Sequence, residues 1–490
     1  MSLLKTQSIS FISRFTAMIL GIVQSLFIVN ILTSTEWGAI RIITSIASIV
    51  GTSQALGLTS GSTREISQAK SKKEVFKIFF ISFLVRLFIS LPFILYLFFF
   101  SNSLASKSSN PALVSWALRI VAITLLFQSS LGIFNSVLAG LRKFKIIFTY
   151  QALIALFSVF VYIPLVYFLR FKGFYYAYLL FNMTSFVILG FLAFKSMGFN
   201  FEKTTLTDFK RILRAIFGIS LVVYIVKIAF TFWREGPVLF MNYILNSPES
   251  LVAIFGFAMF YSTKLMVFSD SITDVTLPEM SKKFGENKEE FKKSYIKNYK
   301  QTFLILTSFS AIAASLHYFI LPLVIKNPDY YKSFTIIPFT ILAIWSYSNL
   351  NLFKSSIFIP AKKLMPLVLS YFLMLFVSII LMFFFNFVFP FSNTLVLLAL
   401  SISLGSLVSY LLSLYLIKKY LNINLIDMYL FIYFIMSIFY VYSCYLSQKF
   451  SYIVLLTFFY LLISLYFYKK QGLLKLVYAL YKKVFKFNIL

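Results

Sequence analysis

Stretches of about 20 consecutive apolar residues recur along the whole chain, and no other feature restricts its fold so strongly. Each is long enough to cross the hydrocarbon core of a bilayer as a helix. Inside lipid, backbone polar groups must be bonded within their own segment, so a spanning stretch is helical unless something local breaks it. Fourteen such stretches can be placed, which predicts an all-α polytopic membrane protein with about 14 transmembrane helices. The 62 phenylalanines, 60 % hydrophobic and only 12 % charged residues agree, because no soluble domain has enough interior to bury so much apolar surface. The first run, Phe15 to Leu32, has no small-residue cleavage site and reads as a retained span, not a signal peptide.

The net charge of +30 would point to nucleic acid in a soluble protein, but here its distribution excludes that partner. With the N-terminus inside, the outer loops hold only Lys107, Arg170, Lys172, Lys326, Lys332 and Lys449 of the 45 basic residues. The rest of the loop charge faces the other side, so both termini of a multi-pass membrane protein are expected in the cytoplasm. Most of the charge is then topology and contact with anionic membrane lipids. The lone Cys444 excludes an intramolecular disulfide and a thiolate metal site. His317, the single histidine, reads as a hydrogen-bonded packing residue. No cofactor is implied.

The chain also contains an internal repeat. Ile31-Leu32-Thr33-Ser34-Thr35-Glu36 matches Ile244-Leu245-Asn246-Ser247-Pro248-Glu249 at an offset of 213, which also pairs Arg14 with Lys227. Glu65-Ile66-Ser67 matches Glu279-Met280-Ser281, and Leu141-Arg142-Lys143 matches Ala361-Lys362-Lys363 at 220. Six spans separate the copies, so they share one orientation, as parallel repeats of transporters do. This predicts two parallel six-helix lobes, 1–195 and 215–420, around a central cavity. A cytoplasmic linker over 196–214, carrying Lys203, Asp208, Lys210 and Arg211, joins them. Two further helices and a basic cytoplasmic tail occupy 421–490.

Several of these residues carry a family resemblance. Arg14 and Gly21, then Ile31-Leu32-Thr33 leading into Glu36-Trp37-Gly38, resemble the start of polysaccharide flippases of the O-antigen exporter type. The stretch from Gly57 to Arg64-Glu65-Ile66, the Leu138-to-Lys143 turn and Leu277-Pro278-Glu279-Met280-Ser281 fit as well. The family belongs to the multidrug, oligosaccharidyl-lipid and polysaccharide exporter superfamily, and the resemblance covers about the first 420 residues. It implies alternating access and movement of an undecaprenyl-pyrophosphate-linked oligosaccharide to the outer leaflet. Lipid II flippases and cation-coupled drug exporters share the architecture, so fold alone does not choose the substrate.

Eight basic residues fall within spans: Arg14, Arg41, Arg86, Arg119, Lys227, Arg234, Lys264 and Lys354. Only Glu235, Asp270 and Asp274 join them, so internal pairing leaves an excess of cations. Charges at such depth face a wet cavity or a partner. Arg14, Arg41 and Arg119 lie near span ends, where snorkelling to the headgroups accounts for them. Arg234, Lys264, Lys227, Arg86 and Lys354 are candidates for a cationic substrate-binding cavity that would hold a pyrophosphate, with arginine gripping phosphate oxygens bidentately. Gly236-Pro237, beside Arg234-Glu235, is expected to interrupt span 7 (215–245) and mark a site. Asp270, Asp274 and Glu235 are candidates for coupling to a proton or cation.

Other function classes fit worse. A membrane glycan polymerase or glycosyltransferase needs a large outer loop or metal-binding acids, and the longest outer loop is about 101–112 with no Asp-x-Asp pair. A G-x-x-x-x-G-K-[ST] phosphate loop is absent, which excludes an ATP-driven pump within this chain. The expectation is a transporter, not an enzyme.

Overall fold

A computed structural model describes residues 3–198, 205–389, 393–425, 427–447 and 450–473; Lys203 of the expected linker lies outside them. Among the described residues the chain is helical almost throughout and contains no strand. Packing divides it into two compact units, Met1–Phe257 with Ile325–Tyr331, and Ala258–Val324 with Lys332–Leu490. The sequence repeat divides the chain at 196–214 instead; one division follows similarity of sequence and the other follows contacts.

The first unit contains α1 (Leu3–Ile31), α2 (Ser34–Ser53), α3 (Leu58–Gln68), α4 (Lys72–Phe99), α5 (Ser101–Ala105), α6 (Pro111–Gly140), α7 (Phe144–Met197), α8 (Leu206–Leu239) and the start of α9 (Glu249–Thr263). α2 starts on a capping box: the Thr33 hydroxyl accepts from Glu36 N–H while the Glu36 carboxylate accepts from Thr33 N–H. It ends at Gln54, after which Leu56 (φ 40°) and Gly57 (φ 69°) take left-handed backbone. Gly57 bears that φ without strain, whereas Leu56 is held in it by its surroundings. The chain then re-enters a helix as α3, bent 42° from α2.

α7 is 54 residues long, yet it is a hairpin of two helices, because Arg170 (φ 51°, ψ −125°) breaks the helical path. In a straight helix Tyr162 and Phe181 would lie about 28 Å apart. Their rings are 6.4 Å apart instead, so the arms run side by side. Gly173 permits the close approach, since a Cβ there would stand 1.9 Å from the Leu165 carbonyl oxygen. Around this hairpin α6 packs on α3, α4 and α7, and α8 packs on α2, α3 and α4.

α8 corrects one expectation. Pro237 has no N–H to return to Trp233, but the helix passes through Gly236-Pro237 to Leu239 without interruption. One missing hydrogen bond does not open a helix anchored by Trp233 and Val238, both fully buried. The helix widens afterwards into a π turn over Phe240–Ile244, and its axis bends by 52° earlier, between Phe217 and Leu221.

The second unit holds the end of α9 with α10 (Met266–Glu286), α11 (Lys288–Val324), α12 (Ile337–Phe353), α13 (Leu364–Val388), α14 (Thr394–Leu421), α15 (Met428–Ser447) and α16 (Phe450–Lys470). α12 continues through a π turn, Lys354–Phe358, into a left-handed residue, Lys362 (φ 55°). Its repeat counterpart Arg142 has φ 56°, and both turns close with the same bonds, Lys143 N–H to Leu138 O and Lys363 N–H to Phe358 O, each 2.8 Å. Each turn is a Schellman closure that satisfies the last carbonyls of its helix. α15 and α16 are held to α11 through Ser308, which bonds Tyr433 and Tyr468 at 2.5 Å each.

Among the described residues, ten helices are long and apolar enough to cross a membrane, or twelve when each of two bent pairs counts as one span. Two further crossings follow from the geometry: the α7 hairpin supplies two arms, and α12 reaches spanning length only with its π turn. The outward faces carry large apolar side chains such as Phe88 and Phe387, 80 % and 84 % exposed, which lipid covers. Buried serines line helix contacts, among them Ser62 bonded to Ser82 and Ser413 to Ser370, where small side chains let backbones approach.

Candidate functional site

α8 presents one face to α2. On it Tyr224 donates to the Ser53 carbonyl at 2.7 Å and Thr231 bonds Thr52 at 3.2 Å. Lys227 and Arg234, two helical turns apart, share that side. With Arg86 of α4 they line a cavity of about 360 Å³, closed by Thr44, Ser48, Gly51, Thr52 and Gln54 of the α2 segment, Gln128 of α6 and Tyr178 of α7. The volume is within the range of ordinary small-ligand sites. Every wall residue belongs to the first unit.

Three cations therefore converge. The charged neighbours of Lys227 are Arg86 and Arg234, both of its own sign. Arg86 is 6 % exposed, and its Nε and Nη1 have no hydrogen-bond partner in the protein. A buried guanidinium left so costs several kcal/mol unless an anion reaches it. The carboxylate beside Arg234, Glu235, is already engaged. One oxygen accepts from Arg234 at 2.7 Å; the other accepts from Ser45 at 2.8 Å and faces Arg41 at 3.7 Å. Glu235 thus fixes the Arg234 side chain and leaves the cavity cationic.

The structure sorts the residues expected from sequence. Arg86, Lys227 and Arg234 come together. Arg41 does not reach outward to the headgroups as its position near a span end suggested. It turns inward to Glu235 and packs over Gly256, where a Cβ would meet its Cγ at 2.7 Å. Lys264 and Lys354 belong to the second unit: the Lys264 ammonium sits 3.9 Å over the Phe260 ring, and Lys354 opens the π turn after α12. Asp270 accepts from the Asn351 amide at 2.8 Å; the side chain of Asp274 lies outside the described residues. His317 is fully buried with each ring nitrogen 2.9 Å from a backbone carbonyl, of Ala314 and of Phe334. Among the described residues no group of three acids, histidines or cysteines could hold a metal ion.

Sequence reasoning missed Gln54, Gln128 and Tyr178. The helix break beside the cavity lies at Gln54–Gly57 in the second span, not at Gly236-Pro237 in the seventh. Its one visible signal was Gly57 within an apolar run, since unwound backbone at membrane depth is tolerated where it lines a cavity.

The first unit thus holds a polar, cationic cavity among helices long and apolar enough to cross a membrane. The fold of the chain matches solved members of the exporter superfamily. One is the lipid II flippase MurJ in an inward closed conformation, 17 % identical over 94 % of this chain and 98 % of that one, TM-score 0.71. Another is a multidrug resistance MATE family transporter of the MOP superfamily in an inward-facing conformation, 16 % identical over 84 % and 98 %, TM-score 0.63. A third is a MOP superfamily transporter from Pyrococcus furiosus whose binding pocket is described as reversed in polarity, 16 % identical over 85 % and 96 %, TM-score 0.54. A comparison with curated proteins gives no match. Residues 27–327, more than half of the chain, match the polysaccharide biosynthesis protein family, and the chain belongs to that family.

Proposed function

We propose that the protein is a flippase that moves an undecaprenyl-pyrophosphate-linked oligosaccharide from the inner to the outer leaflet of the bacterial cytoplasmic membrane, for surface polysaccharide such as O-antigen. The observation that carries the reading is the convergence of Arg86, Lys227 and Arg234 in one cavity, with no carboxylate among its described lining residues and the neighbouring Glu235 already paired. A pyrophosphate diester carries two negative charges, and phosphate oxygens suit arginine's planar fork. Family membership supports the polysaccharide context. A drug exporter for amphipathic cations would want the opposite sign of charge at this place.

In this reading the pyrophosphate is held by Arg86, Lys227 and Arg234, joined by Lys264 and Lys354 as the two six-helix lobes rock. The polyprenyl chain stays in lipid, and both termini remain cytoplasmic. Asp270 and Asp274 serve proton or cation coupling, whereas Glu235 acts by orienting Arg234. The test is to reconstitute the protein in liposomes with a fluorescent polyprenyl-pyrophosphate glycan and to replace Arg86, Lys227 and Arg234 singly by Gln. Loss of flipping by folded variants is expected; normal flipping overturns the assignment.

A further inference from the structure

Gln54 is the least satisfied polar group in the cavity wall. The residue is 1 % exposed, and among the described residues neither its Nε2 nor its Oε1 has a hydrogen-bond partner. Buried side-chain amides are almost always bonded, and leaving both ends unmade destabilises the folded chain. Gln54 also sits where the helix stops: its own N–H closes α2 onto Val50 and Thr52, and the next residues unwind. The break therefore places Gln54, its buried amide unpaired among the described residues, in the wall of a cavity that also holds three cations.

We infer that Gln54 reads the sugar attached to the diphosphate, by pairing with two vicinal hydroxyls of its ring. This inference rests on the function proposed above. A side-chain amide offers one acceptor and donors side by side. One sugar hydroxyl donates to Oε1 and its neighbour accepts from Nε2. Arginines grip phosphate oxygens by charge and geometry, so telling apart two diphosphate diesters of equal charge needs uncharged groups of this kind. Two more stand in the same wall: Gln128, whose Oε1 accepts from Tyr178 at 3.4 Å, and Tyr178 itself, whose ring offers an apolar face to a pyranose. A site built to hydrogen-bond a hydroxyl rejects the analogue lacking it far better than a purely apolar site does.

The experiment compares two soluble short-chain probes of equal charge on the full-length protein in detergent: farnesyl diphosphate capped by a methyl group on its terminal phosphate, and farnesyl diphosphate carrying one glucose there. Wild-type protein is expected to bind the glucosylated probe about tenfold or more tightly, the worth of one or two buried hydrogen bonds. Gln54→Met, close to isosteric, is expected to abolish that preference while changing affinity for the methyl-capped probe by less than about twofold. Because it replaces an unsatisfied buried amide by an apolar chain, it should leave the thermal midpoint of the free protein equal or higher, a result that a merely structural role does not give. Arg86→Gln should weaken both probes together. The inference is overturned if Gln54→Met keeps the sugar preference, or weakens both probes equally. If wild-type protein binds neither probe, the lipid-diphosphate reading itself fails and takes this one with it.

Discussion

The two units each enclose a cavity, and the two differ in chemistry more than in size. The one in the first unit, about 360 Å³, is walled by Arg86, Lys227, Arg234 and uncharged polar groups. The one in the second unit, about 460 Å³, is walled by α11, α12 and α15 with side chains such as Ala311, Tyr318, Phe339, Trp345 and Phe434, and no charged residue lines it. Charge inside the membrane is expensive and persists where it does something; an apolar hollow needs no such justification. In the function proposed above, that contrast is the reason Arg86, Lys227 and Arg234 are the first to hold the charged head of the substrate.

The comparison breaks most sharply by discharging the cationic cavity. Arg86→Gln with Lys227→Gln should lower flipping about 100-fold or more, since each cation contributes charge-assisted hydrogen bonds worth about 1.5–3 kcal/mol. The measurement is flipping rate in liposomes, alongside thermal stability to show that the variant folds. An unchanged rate would remove the distinction between the cavities.

Second in size is Glu235→Gln. It strips Arg41 and Arg234 of their shared carboxylate and should destabilise the protein by about 3 kcal/mol, read as a lowered thermal midpoint. Arg41→Met in the same chain should restore part of the loss, because a buried guanidinium no longer goes unpaired. Additive losses would show that the pair is not coupled. In the second unit, Phe434→Ala removes a ring stacked 4.7 Å from Trp345. It should lower stability by about 2–3 kcal/mol through the cavity it leaves. It should shift farnesyl diphosphate affinity by less than about twofold. A large loss of affinity there would put the headgroup in the wrong unit.

What could be read beforehand follows the same division. The spans were legible because lipid enforces long apolar runs, and the basic turns at Arg142 and Lys362 because a tight helix closure leaves a local sequence trace. Arg86, Lys227 and Arg234 were legible as charges in the wrong solvent. Gln54 was not, because an uncharged amide in an apolar run looks like many tolerated polar residues until its lack of partners is seen. Nor was the inward turn of Arg41, which depends on Glu235, 194 positions away in the chain. Gly236-Pro237 misled because proline's local cost was weighed without the burial of Trp233 and Val238 that keeps the helix intact.

The smallest expected effect lies away from both cavities. Lys300 of α11 is paired with Asp427, just before α15, and Tyr429 N–H also donates to that carboxylate at 2.9 Å. Partial burial raises the Asp427 pKa, but the bonds from Lys300 and Tyr429 outweigh it and hold the carboxyl below its ordinary value. A carboxylate with a depressed folded-state pKa stabilises the protein above its unfolded value, and the contribution disappears as pH falls through the folded one. The pair is a quarter exposed on each side, so Asp427→Asn should cost about 0.2–1 kcal/mol at neutral pH. The difference from wild type should shrink toward zero below the ordinary carboxylate range near pH 4. Because the pair joins α11 to the start of α15 within the second unit, the variant should leave diphosphate binding in the first unit unchanged. A loss of flipping equal to that of Arg86→Gln, at so small a change in stability, would mean that the C-terminal helices take part in holding the headgroup, and the contrast between the two cavities would no longer assign it to one unit.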